Sequence, residues 1–246
     1  GYFYLTKSPH KKSYSPIPDF RIEPGFVGVD HYRLNLELKK VLDRRILYME
    51  LAKDVEQELK EFEKLPGTEK LGNLGSQVRQ RLGINDAELA SLSYEKVYPY
   101  WKGKIEDDGV LVYESQYIPD VSGVLGAAIY YDVCPIILVK RGSKHNARKL
   151  FTLLHEYAHL LHGESAINDA SSQTVRVRGA GKKGVEAACN GLAAEILIPS
   201  DKFDAAEYAE LNSVEKMEHL AESFKVTYTA AAVCLRRNEL ISESEF

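Results

Sequence analysis

Apolar positions change their period along this chain, and each change marks a change of element. Leu34, Leu38, Val41, Tyr48, Ala52, Val55, Leu59 and Phe62 follow steps of four and three, a heptad stripe interrupted only by Arg45. That spacing predicts one long helix with an apolar face running to Phe62. The stripe is expected to pack on its own chain, with a homodimer through the 34–62 helix as the alternative. Upstream, Pro9, Pro16, Pro18 and Pro24 bias their predecessors away from helix, so residues 1–31 are expected to be extended. Pro66-Gly67 ends the long helix. Thr68 then serves as N-cap of a shorter one, with Leu71, Leu74, Val78 and Leu82 on one face and Gly83 just past its end. Asn85 caps another short helix, and 94–106, which carries the single tryptophan Trp101, forms a fourth.

The period then shortens. Val110–Tyr113, Gly123–Tyr130 and Pro135–Val139 are β-rich runs bounded by Gly, Asp and Pro, which predict three short strands. Two helices, 147–162 and 184–197, follow, separated by a polar loop from Glu164 to Lys183; helices near 213–224 and 228–238 close the chain. The expected fold class is α+β: mainly helical, with a small three-stranded sheet packed against the 147–162 helix. The expected division is an extended segment 1–31, a helical domain 32–92 and a second domain 93–246.

Composition narrows the function classes. With 44% hydrophobic and 28% charged residues over 246 positions, the chain is an ordinary globular protein rather than a disordered or fibrous one. A net charge of −4 provides no global positive field, so no direct nucleic-acid binding is expected. The 220–237 segment, spaced like a helix-turn-helix, offers only Lys225, Arg236 and Arg237. Cys134, Cys189 and Cys234 are odd in number and outside any CxxC, which reads as reduced thiols in a cytoplasmic protein. The longest apolar stretch, 123–139, is broken by Asp132 and Pro135, and the N-terminus lacks a signal-peptide pattern, so no membrane association is expected. The first residue, Gly1, reads as that of a processed or truncated product.

The chemistry concentrates in His155-Glu156-Tyr157-Ala158-His159, an HExxH sequence. Histidines four residues apart on a helix lie about 40° round its axis and one turn apart, so both imidazoles can reach one ion. The intervening Glu156 then lies beside the metal, placed to take a proton from water. Leu150, Leu153, Leu154, Tyr157, Ala158, Leu160 and Leu161 make this helix apolar nearly all round, which predicts burial. Two buried histidines one turn apart are best satisfied by a shared cation.

A catalytic zinc takes three protein ligands and keeps an open position. The HExxHxxGxxH pattern would put a third histidine at Ser165 and a glycine at His162, so it fails. The candidate is Glu186, which opens Glu186-Ala-Ala-Cys189-Asn190-Gly-Leu-Ala-Ala-Glu195-Ile-Leu-Ile-Pro199. On its own, Glu186 reads equally as a solvated carboxylate at a helix start. Small residues Ala187, Ala188, Cys189, Ala193 and Ala194 allow this helix to approach the HExxH helix closely. Cys189 reads as a small core residue rather than a ligand.

The stretch from Arg148 to His162, with its FTLLHEYAH core, followed by the Glu186–Pro199 segment, resembles the ImmA/IrrE family of metallopeptidases. Further matches are Ile17-Pro-Asp-Phe-Arg21, Trp101 with Glu106, and Phe224-Lys-Val226 with Ala231 and Leu235-Arg236; Gly191-Leu192 departs from the family's usual larger residue and Phe. The resemblance implies that Glu186 is the third ligand beside His155 and His159, with Glu156 the catalytic base. It implies one Zn²⁺ per chain, Mn²⁺ or another divalent ion being the alternative, and makes 93–246 a zinc metallopeptidase-like domain. Proteins of this kind often carry a helix-turn-helix ahead of the position of Gly1. The implied activity is a zinc-dependent endopeptidase making a site-specific cut in a protein substrate, a DNA-binding repressor or antitoxin-type protein, in a stress or mobile-element response. The alternative is a regulatory or sensor module of a transcription factor with a structural or inactive metal site, against which the intact Glu156 stands. Asn190 is expected to orient the Glu186 carboxylate or bind substrate backbone, or else to be a packing amide. His162 supports the site or is a plain helix-end histidine. His145 and Tyr157 are candidates for oxyanion stabilisation, and an edge strand of the sheet is expected to dock an extended peptide.

Overall fold

The computed structural model describes residues 29–65, 71–118, 124–142, 146–169, 183–202, 208 and 210–242. Of the segment 1–31 expected to be extended, residues 1–28 lie outside them, while 29–31 are helical instead, because the bias of Pro24 reaches only the residue before it; the Thr68 cap also lies outside. Among the described residues, no helix is long and apolar enough to cross a membrane.

Helix α1 (Val29–Asp54) carries the heptad stripe as far as Ala52 but stops short of Val55, Leu59 and Phe62. Glu56 adopts a left-handed conformation (φ 54°), and the Gln57 N–H returns to the Ala52 carbonyl at 2.8 Å, closing the end. The chain then runs extended: Glu61 bridges Val133, and the Phe62 N–H donates to the Asp132 carbonyl at 2.7 Å. Phe62 therefore joins the core from an extended segment, its ring edge-on to Tyr130 and Tyr157. The periodicity carried the expected helix too far because a buried extended residue happened to fall in its register.

The helices α2 (Leu71–Arg81), α3 (Asp86–Ser91) and α4 (Tyr94–Asp107) follow, then strands β1 (Leu111–Ser115), β2 (Val124–Ile129) and β3 (Ile136–Lys140). The Asn85 side chain accepts the Glu88 N–H and caps α3 as expected. After α5 (Asn146–Leu161) the chain forms a fourth short strand, β4 (Ala166–Asp169), within the segment expected to be loop. Helices α6 (Lys183–Leu197), α7 (Ser213–Phe224) and α8 (Tyr228–Arg237) complete the fold. The expected α+β class holds, with the sheet ordered β1-β3-β2-β4. β1 and β3 are parallel, while β2 runs antiparallel to both β3 and β4.

Alternation along the strands divides the core into two layers. Ala128, Ile137 and Val139 face the larger cluster, shared with α2, α4, α5 and α6. Ala127, Ile129, Ile136 and Leu138 face the other way, onto Leu34, Leu38, Val41 and Leu42 of α1. A strand buried on both faces reads as an unbroken apolar run, as Ile136-Ile-Leu-Val139 does. Leu34, Leu38 and Val41 of the α1 stripe are thus covered by the sheet of its own chain. Arg45 interrupts it because its guanidinium donates to the Cys134 and Val133 carbonyls, at 2.9 and 2.7 Å, and lies 3.7 Å from the Tyr131 ring centroid.

Two contacts fix α6 against the rest. A Cβ at Gly75 would overlap the Glu195 carbonyl, so α2 approaches α6 as closely as backbones allow. Buried Arg79 donates to the Ile196 and Leu197 carbonyls, capping the C-terminal end of α6, and pairs with Asp86.

Candidate metal centre

Helices α5 and α6 pack directly on each other and bring the candidate ligands together. His155 and His159, each 1% exposed, turn their Nε2 atoms toward one point, 3.1 Å apart. Glu186, in the first turn of α6, closes the triangle: Oε2 lies 3.3 Å from His155 Nε2 and Oε1 lies 3.2 Å from His159 Nε2. The ligand atoms of these three residues all lie within 4.8 Å of one another. Zinc–ligand bonds of about 2.0–2.1 Å at tetrahedral angles put neighbouring ligand atoms about 3.3 Å apart. The observed separations match, and two imidazoles with one carboxylate are a donor set zinc accepts, leaving a fourth direction open.

Charge follows the geometry. Burial pushes the Glu186 carboxyl up, but hydrogen bonds with His155 and His159 outweigh it and hold the group well below its ordinary value. Its carboxylate is therefore available as an anionic ligand. Glu156 moves the other way: burial, then the negative charge of Glu186, push it well above its ordinary value. Both of its oxygens are buried without a hydrogen-bond partner among the described residues. A buried carboxylate left orphaned is costly, and such groups concentrate at functional sites.

One residue beside Glu156 escaped the sequence reading. Gly126 of β2 lies against Glu156; a Cβ there would sit 2.6 Å from Glu156 Oε1 and 2.8 Å from Thr152 Cγ2. The signal was a lone glycine inside an apolar strand, which marks a close approach. Cys189 is buried as expected, but its Sγ also lies 3.5 Å from His159 Nδ1, on the side away from the ligand atom.

Asn190 sits on α6 one turn beyond Glu186, with its side chain exposed. His162 is exposed just past the end of α5, its N–H bonded to the Ala158 carbonyl. His145 lies outside the described residues. Tyr157 points away from the triangle: its hydroxyl donates to Asp108 at 2.8 Å, and the same carboxylate takes Arg81 at 2.7 Å and Lys60 at 3.1 Å. That network ties the HExxH helix to α2 and to the end of α4, so Tyr157 holds the helix in place and is not directed at an oxyanion.

A family model described as the IrrE N-terminal-like domain, a peptidase family, matches residues 110–236. The span runs from β1 into α8 and contains the sheet, both site helices and all three candidate ligands. No curated protein matches the chain.

Proposed function

Since the chain belongs to the IrrE N-terminal-like peptidase family, we propose that it is a zinc-dependent endopeptidase with His155, His159 and Glu186 as metal ligands and Glu156 as general base. The observation that carries this reading is the meeting of ligand atoms from three residues beside a fully buried carboxylate with no hydrogen-bond partner among the described residues. Bound at this position, zinc supplies Lewis acidity, lowering the pKa of water to about 7 and polarising a carbonyl.

The remaining steps belong to the chain. Glu156 takes the proton of the attacking water on a carboxylate oxygen and then delivers it to the leaving amide nitrogen. Burial suits it to both halves, since a carboxylate raised above its ordinary value holds a proton better at neutral pH. The sheet fixes its position through Gly126, and the Asp108–Tyr157 contact fixes the helix that carries it. A site serving structure alone has no use for an orphaned carboxylate at this place, which weighs against the sensor reading.

The substrate in this reading is a DNA-binding repressor or antitoxin-type protein, bound in extended form along an edge strand of the sheet. Its support is the resemblance to regulatory metallopeptidases and the β4 edge that follows the HExxH helix. The test co-expresses repressors encoded beside this gene with the wild-type chain or with Glu156→Gln, and reads cleavage by intact-mass spectrometry. The wild type produces two fragments and Glu156→Gln none. Equal cleavage by both chains refutes the role of Glu156.

A further inference from the structure

Helix α6 meets the His159 ring at both of its nitrogens. Glu186 Oε1 lies 3.2 Å from Nε2, and Cys189, one turn further along the same helix, places its Sγ 3.5 Å from Nδ1. Both partners of the second contact are buried. His155 is held differently: its Nδ1 is buried without a hydrogen-bond partner among the described residues. Of the two histidines, His159 is thus the one whose outer nitrogen is held by a described residue.

We propose that Cys189 is a positioning residue, whose thiol holds the His159 ring in the orientation and tautomer that present Nε2 to the metal. The inference rests on the reading of His155, His159 and Glu186 as a zinc site. A neutral imidazole that gives its Nε2 lone pair to a metal carries its proton on Nδ1, and in a buried site that N–H needs an acceptor. Such outer partners fix the ring and raise its basicity as a ligand; they are usually carboxylates, backbone carbonyls or water. Here the position falls to a sulfur, a weaker acceptor that is also a donor. That double capacity suits the site. In the metal-free chain Nε2 faces the Glu186 carboxylate, and a ring that donates there accepts the S–H at Nδ1. With Nε2 committed to a metal, the same sulfur accepts the Nδ1–H. A carboxylate at this position could not donate in the first state, and it would add a third acidic group to a site that already holds Glu156 and Glu186. An alanine, as at the equally buried Ala193, would leave Nδ1 unpaired in both states.

Zinc affinity, measured by competition with a chromogenic chelator, tests the proposal on the wild-type chain, Cys189→Ala, Cys189→Ser and Cys189→Val. The expected result is a loss of about 10–100-fold for Cys189→Ala and Cys189→Val, the range that removal of an outer partner costs. Cys189→Ser keeps a donor and an acceptor on a shorter bond and recovers part of that loss. A role in packing alone reverses the order: Cys189→Val, which fills the space, stays near wild type, and Cys189→Ser does no better than Cys189→Ala. Nitrogen-15 spectra of the histidine-labelled, zinc-loaded chain read the ring directly. The His159 Nδ1 carries a proton in the wild type, and its resonance moves in Cys189→Ala while that of His155 stays in place. Wild-type zinc affinity in Cys189→Ala, or a Cys189→Ser chain no tighter than Cys189→Ala, overturns the role of Cys189 and leaves the metal site standing. A wild-type chain that binds no zinc overturns the site and this role with it.

Discussion

Gly126→Ala adds one methyl group at the contact between the sheet and the HExxH helix, where the structure leaves no room for it. The new Cβ meets Glu156 Oε1 at 2.6 Å, Thr152 Cγ2 at 2.8 Å and Glu156 Cγ at 2.9 Å. Restoring an ordinary contact of about 3.5 Å requires a shift of roughly 0.9 Å at the closest point. α5 cannot simply withdraw, because Tyr157 anchors it to Asp108 and its other faces are buried. Overpacking of this kind costs about 1–3 kcal/mol, offset in part by about 0.5–1 kcal/mol from replacing a glycine in a strand. The net loss of about 1–2 kcal/mol lowers the melting temperature by several degrees in a chain of this size. A double-mutant cycle isolates the cause. In a Glu156→Ala background two of the three close contacts vanish and only Thr152 remains, so the penalty shrinks by about 1 kcal/mol or more. Urea unfolding with chelator present measures all four chains free of metal. A coupling within about 0.5 kcal/mol of zero, the scatter expected of independent sites, refutes the claim that Gly126 positions Glu156. In the metal-loaded enzyme, the same displacement of the base lowers kcat/KM on the identified substrate by about 10–100-fold while metal content stays at the wild-type level.

Tyr157→Phe removes the hydrogen bond to Asp108 and destabilises the chain by about 1–2 kcal/mol in thermal unfolding, yet leaves kcat within a few-fold; a loss of a hundredfold or more at full metal occupancy contradicts the anchoring role. Arg45→Met leaves the Val133 and Cys134 carbonyls without their donor and lowers stability by about 1–3 kcal/mol, measured by urea denaturation, with metal binding unchanged. Burial raises the Asp86 carboxyl, but its hydrogen bond and charge interaction with Arg79, aided by Lys202, outweigh this and hold it below its ordinary value. A depressed folded-state pKa contributes stability above the unfolded pKa of about 4 and loses it as pH falls further. Asp86→Asn therefore costs about 1 kcal/mol at pH 7, after discounting for solvent exposure, and the gap to wild type closes below about pH 4; a gap that persists in acid contradicts the pairing with Arg79.

How much of this was legible from sequence depended on whether a residue's role is local. The HExxH spacing and the apolar surround of α5 announced two candidate ligands and a candidate base, because helical periodicity alone puts them on one buried helix. The Asn85 cap was legible for the same reason, its partner being three residues away. Glu186 required the resemblance, since a carboxylate at a helix start has a plain solvated alternative until a second helix is seen against it. Gly126 and the Asp108–Tyr157 contact were hidden because their partners lie far away in the chain. Phe62 misled outright: an apolar residue in heptad register proved to be an extended segment buried in the same core. Arg45 was visible only as an interruption, and its meaning came from two carbonyls nearly ninety positions downstream.

The central claim, that His155, His159 and Glu186 hold one zinc ion beside Glu156, is tested most directly by elemental analysis of metal per chain. Wild type, Glu186→Ala and Glu156→Gln are dialysed against zinc and then against metal-free buffer. The account predicts close to one zinc per chain for wild type and for Glu156→Gln, and a loss of most of it for Glu186→Ala. Wild-type protein that keeps no zinc, or Glu186→Ala protein that keeps all of it, contradicts the account.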